Sequence, residues 1–428
     1  MNIDDRKELE EILASGNYKD GLVWINTYLQ NNHNDAIAYC FKGSISRELG
    51  YYDEALINYN KAIELNSNYD MAFANRGILQ EKMGNKLEAY NDCDNALKIN
   101  PNNIVALYAR ACLNYELQEY TSAIQDYTKV LQQNPKHSES YYNRACCYAE
   151  IEDYNKALED YNSAVLYEPK NATYYYNRGI CKLAMGDTIN ALQDYNIVIS
   201  LDTKFENIYL NKAAAKFFLG DFKGTIDDSK EELKNNPQCF LAYYNIGMAQ
   251  AELQEYHEAI KNYSKAIEMD ADYLDAYYMR ALALEKICNN NSALDDLNLL
   301  LEKNPFYAKA YNEKGIILQK EYNNAKEVIE CFNMAIKIDP NIATFYYNRG
   351  STYLDIENYT NAINDYDNAI KLNSNVPIYF YNRGIAKYNI NEFDEAIKDF
   401  KIALSMTKDA VFIIKLEKAI ALCNEANS

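Results

Sequence analysis

Tyr175 to Gly179 reads YYNRG, and near-copies of this phrase return along the chain: YYNRA at 141–145, YYNRG at 346–350, FYNRG at 380–384 and ANRG at 74–77. Aligned on the final small residue, the copies fall on one series. Gly43, Gly77, Ala111, Ala145, Gly179, Ala213, Gly247, Ala281 and Gly315 stand 34 residues apart. One extra residue near Tyr322 to Asn324 then shifts the frame, and Gly350 and Gly384 resume it. A fixed period of this length is the mark of a repeat architecture.

With the small residue numbered 8, position 4 is mostly aromatic (Tyr141, Tyr175, Tyr209, Tyr243), position 20 mostly alanine (Ala123, Ala157, Ala191, Ala259) and position 24 mostly Tyr or Phe. Proline recurs at position 32, at Pro101, Pro135, Pro169, Pro237, Pro305 and Pro340. Positions 4, 8 and 11 make one stripe at helical spacing and positions 20, 24 and 27 another. The pattern predicts two antiparallel helices per unit. Small residues at 8 and 20 let their backbones approach, and proline ends the second helix. One such pair cannot bury both stripes, so neighbouring pairs must stack.

On these positions the chain resembles the tetratricopeptide repeat family. The resemblance implies an all-α fold, a right-handed superhelical solenoid of helix-turn-helix repeats whose first helices line the concave face. Twelve units cover residues 2–410: 2–35, 36–69, 70–103, 104–137, 138–171, 172–205, 206–239, 240–273, 274–307, 308–342, 343–376 and 377–410. Residues 411–428 read as a C-terminal capping helix. Unit 206–239 departs most, with Thr225, Ser229 and Glu232 at the packing positions of its second helix, and is expected to be the loosest joint.

Arginine holds position 7 at Arg76, Arg110, Arg144, Arg178, Arg280, Arg349 and Arg383, and sixteen residues on stand Asp92, Asp126, Asp160, Asp194, Asp296, Asp365 and Asp399. Units without the arginine mostly lack the acid: Ile246 accompanies Asn262 and Lys42 accompanies Asn58. Such co-occurrence predicts structural ion pairs across each helix pair, bidentate and partly buried.

Asparagine at position 6 lies on the opposite side of the first helix, at Asn75, Asn143, Asn177, Asn211, Asn245, Asn348 and Asn382. A side-chain amide matches a peptide bond, so a ladder of them is expected to hold an extended peptide. It resembles the asparagine ladder in the repeat domain of O-linked N-acetylglucosamine transferase. Beside it stand Tyr142, Tyr176 and Tyr244, with Phe217 and Phe218 in the degenerate unit, which gives a candidate peptide-binding groove. The same tyrosines could instead pack between adjacent first helices. The carboxylate clamp of chaperone-binding relatives is not expected. No unit has lysine at 5, asparagine at 9 or arginine at 6, and Lys309 is followed by Glu313.

Composition narrows the rest. A net charge of −19 argues against nucleic acid and anionic membranes as partners. No run is apolar enough for a membrane helix, and the acidic opening MNIDDRKELEEIL does not read as a signal peptide. Ten cysteines without C-x-x-C spacing and three scattered histidines suggest buried reduced thiols in a cytoplasmic protein, with no metal and no cofactor. No nucleophile or phosphate-loop motif stands outside the repeats, so the reading is a non-catalytic scaffold with a protein or peptide partner. Docking of a folded partner, or self-association through the convex face or the ends, is the alternative.

Overall fold

The computed structural model describes residues 1–321 and 324–427, so of the insertion expected near Tyr322 to Asn324 the first two residues lie outside the described ones. Those residues form 25 helices, from α1 (Ile3–Ala14) to α25 (Ala410–Ala426), and no strand. The chain divides into two compact units, Met1–Ile208 and Tyr209–Ser428. Each is a stack of helical hairpins, an α-solenoid with its core between hairpins.

Helices α11 (Ala172–Ala184) and α12 (Thr188–Leu201) show why the sequence folds this way. The Asn171 carboxamide caps α11 by accepting from the Thr173 N–H. After Ala184 the chain turns through Gly186 at φ +80°. The Asp187 N–H then returns to the Lys182 carbonyl at 2.8 Å, the bond that ties off a helix ending in a left-handed residue. Asp187 in turn caps α12 by accepting from the Asn190 N–H. One residue therefore closes one helix and opens the next. The following turn is built by the Asp202 carboxylate, which accepts from the Lys204 N–H at 2.9 Å. Asn100 and Asn134 do the same before their prolines' successors, at Asn102 and Lys136.

Packing explains the last letter of the phrase. Tyr195 of α12 is fully buried with its ring against Gly179. A Cβ on Gly179 would lie 2.6 Å from the ring, so this position takes no side chain unless Tyr195 moves. Within each unit, consecutive first helices approach one another more closely than consecutive second helices do. The first helices thus form the inner face.

In the second unit, α14 (Phe222–Asn235) buries Thr225, Ser229 and Glu232 where other helices bury Ala and Tyr. Thr225 satisfies its hydroxyl on the Ala213 and Asp221 carbonyls, but Ser229 Oγ has no partner among the described residues. Helix α25 buries Leu416 and Cys423 against Phe400 and Ala403 of α24 (Phe393–Met406). All ten cysteines are free, and the expectation of buried thiols needs correction: Cys288 is exposed, at φ +59° in a hairpin turn, and Cys112 and Cys146 are only partly buried.

Candidate functional site

The first helices carry two polar networks, one on each side of their packing stripe. On the outer side each position 7 arginine grips the aspartate of its own hairpin with two bonds. Arg178 Nε and Nη2 reach Asp194 at 2.9 and 2.6 Å, and the other six pairs have the same bidentate form, at 2.5–2.9 Å. The Asp194 side chain is 2% exposed and that of Arg178 15%. The guanidinium also lies over the position 4 ring, 5.1 Å from the Tyr175 centroid.

Its remaining nitrogen crosses to the preceding hairpin. Arg178 Nη1 donates to Asn162 at 2.9 Å, Arg144 to Thr128, Arg280 to Ser264 and Arg349 to Asn333. In Arg110 and Arg383 the recipient is an acid, Asp94 and Asp367. The arginine therefore joins two hairpins as well as two helices, a role the one-hairpin reading missed. At Ile246 the place of this third contact, sixteen residues back, is held by Lys230, whose charge would repel a guanidinium.

On the inner side the asparagines reach backward. Asn143 Nδ2 donates to the Tyr108 hydroxyl at 3.1 Å, Asn177 to Tyr142 at 3.0 Å and Asn382 to Tyr347 at 3.3 Å. Asn348 uses Asn312 Oδ1 and Asn75 the Cys40 thiol. Asn177 spends further donor capacity on the Thr173 carbonyl at 3.0 Å. These amides tie each first helix to the one before it. Among the described residues, nothing donates to Oδ1 of Asn143 or Asn177. Asn245 follows Leu210, which has no hydroxyl, and its amide makes no bond among the described residues. Asn211 is half-buried on the same face of its helix.

The tyrosines at position 5 fill the joints between hairpins. Tyr142 stacks on Tyr174 at 4.8 Å, Tyr176 lies tilted against Phe205 at 4.9 Å and Tyr244 meets Tyr273 edge-on at 5.0 Å. Each is half-buried. Phe217 and Phe218 separate: Phe217 packs edge-on against Phe222 at 5.4 Å, whereas Phe218 is 78% exposed. No group of three metal-ligating side chains is assembled among the described residues.

A profile described as TPR repeat matches residues 43–84, and profiles described as tetratricopeptide repeat match 105–137, 126–159, 240–273 and 343–376. Similar solved structures include a tetratricopeptide repeat protein from Parabacteroides merdae (21% identity, 58% of this chain and 98% of that one, TM-score 0.42). Yeast Tom70 is 17% identical over 99% of this chain and 95% of its own, with a TM-score of 0.41. The Cut9–Hcn1 hetero-tetramer of the APC/C gives 13%, 97%, 95% and 0.47. A comparison with curated proteins gives no match.

Proposed function

This chain belongs to the tetratricopeptide repeat family, and on that premise we propose that it captures an extended segment of a partner protein on the face of its first helices. The array is a protein–protein interaction scaffold, and the proposed scaffold performs no catalysis. The observation that carries the reading is the ladder itself. Successive amides keep an uncommitted carbonyl oxygen on one face, at Asn143 and Asn177, with tyrosine ring edges beside them. Carbonyl acceptors at regular spacing suit the N–H groups of a main chain, whatever its side chains. Free thiols and strong negative charge favour a reducing compartment and a partner that is neither nucleic acid nor an anionic membrane.

A peptide-display selection on the full chain tests this, run beside a variant with Asn143, Asn177, Asn211 and Asn245 changed to alanine. Because the amides also tie hairpins together, the variant must first be shown to melt as one folded species. Peptides enriched on the parent and lost on the variant support capture by this face. Peptides enriched equally on both refute it. A second reading, docking of a folded partner, draws on the exposed Phe218 and Leu219 at the turn after α13 (Ile208–Phe218), and Phe218→Ser would then abolish binding.

A further inference from the structure

The inner face of the first unit holds one recess of about 400 Å³, between α9 (Ser138–Glu150) and α11, with Tyr115 and Tyr154 closing its sides. Two small residues contribute to it, at positions 12 and 13 of successive units. Ala149 and Ala184 occupy the last turn of their helices, where other first helices carry Arg47, Glu81, Glu252 or Glu285. Removing those long side chains opens a floor of Cys146, Ala149, Ile180 and Ala184. Burial holds the Cys146 and Cys181 thiols above their ordinary pKa, so the floor stays uncharged.

Besides the hydroxyls of Tyr115, Tyr154 and Tyr161, the last donating to Cys146 Sγ, the polar groups of the recess are acceptors. Glu150 and Glu152 stand exposed at its rim. Asn177 lines it with both donor functions already used, on Tyr142 and Thr173, so it offers a carbonyl oxygen. No lysine lines the recess, and Lys156 and Lys182 are paired with Asp153 and Asp194. An apolar floor beneath acceptors and carboxylates fits a ligand with an apolar stem and a cationic, donor-rich head. We propose that this recess holds a lysine or arginine side chain of the bound peptide, its methylenes on the alanine floor and its head between Glu150 and Glu152. The proposal rests on the peptide-capture reading above and adds which residue the peptide must carry.

A random dodecapeptide display library is the probe, selected on the full chain and on two variants. Ala184→Tyr fills the recess without changing charge, and Ala184 is exposed, so the core is untouched. The pair Glu150→Gln and Glu152→Gln removes the rim charge and keeps the shape. Peptides enriched on the parent should share one basic position, and replacing that base by alanine should weaken binding about 10-fold. In Ala184→Tyr the same replacement should cost less than about 2-fold, while peptide capture itself persists. In the double glutamine variant the preference for a base should vanish. A basic preference that survives Ala184→Tyr would reflect attraction to the acidic molecule in general and would overturn the assignment. So would enriched peptides without a basic position. No enriched peptide on any version would instead refute peptide capture, and the recess assignment with it.

Discussion

Arg178 shows how much one residue can carry. It holds Asp194 with two bonds, reaches Asn162 of the preceding hairpin and lies over Tyr175. Removing one partner leaves the other charge in a nearly buried site. Arg178→Ala and Asp194→Ala should each cost about 2–4 kcal/mol, with the double variant less destabilised than their sum by about 1–3 kcal/mol. Urea denaturation of the four proteins measures this, and strict additivity would dismiss the pair. Asp194 should be the costlier loss, because Lys182 also binds it at 2.7 Å. Gly179→Ala should cost about 1–3 kcal/mol by pushing Tyr195 from its pocket. Which residues pair was legible in the sequence, because arginine and aspartate mostly vanish together, Lys212 with Asp228 keeping both charges. The third contact was not. Its recipient varies among Asn, Asp, Thr and Ser, and only the fold shows that these share a place.

At the scale of the helix, the turns inside most hairpins pass through a left-handed residue. Gly50, Gly84, Gly186 and Gly220 supply it in some, but Gln118, Glu152, Gln254, Cys288, Glu357 and Asn391 sit at φ 59–64° in others. A side chain there costs about 1 kcal/mol relative to glycine. Gln118→Gly should therefore stabilise the protein by up to about 1 kcal/mol, readable as a higher denaturation midpoint. An unchanged or lower midpoint would show that unfolded-chain entropy outweighs the strain. The hairpins themselves were plain from the 34-residue spacing of residues such as Ala145 and Gly179. The left-handed turn was not, because its position accepts Gly, Gln, Glu, Cys and Asn alike. The asparagine ladder was half legible. Spacing puts Asn143 and Asn177 on one face, but no spacing rule says that their donors turn back to Tyr108 and Tyr142.

Across the whole molecule, hairpin packing depends on neutral buried tyrosines. Burial pushes Tyr59 up to about 12, and raises Tyr127, Tyr161 and Tyr263 further. An acid whose pKa is higher folded than unfolded contributes stability that is complete below its unfolded value near 10 and is lost as pH rises through the folded one. Stability should thus fall steeply from pH 10 upward, by up to about 1.4 kcal/mol per pH unit for each such tyrosine. A urea midpoint flat between pH 9 and 12 would contradict this. The central claim is that the first-helix face reads a main chain through carbonyl acceptors, and one measurement addresses it directly. A peptide selected on the full chain is compared with copies in which single backbone N–H groups are replaced by ester oxygens. The ladder predicts about 2- to 10-fold weaker binding at amides spaced to meet successive asparagines, and little change between them. Equal affinity for every ester copy would mean that the asparagines only join hairpins and that the partner is held by its side chains.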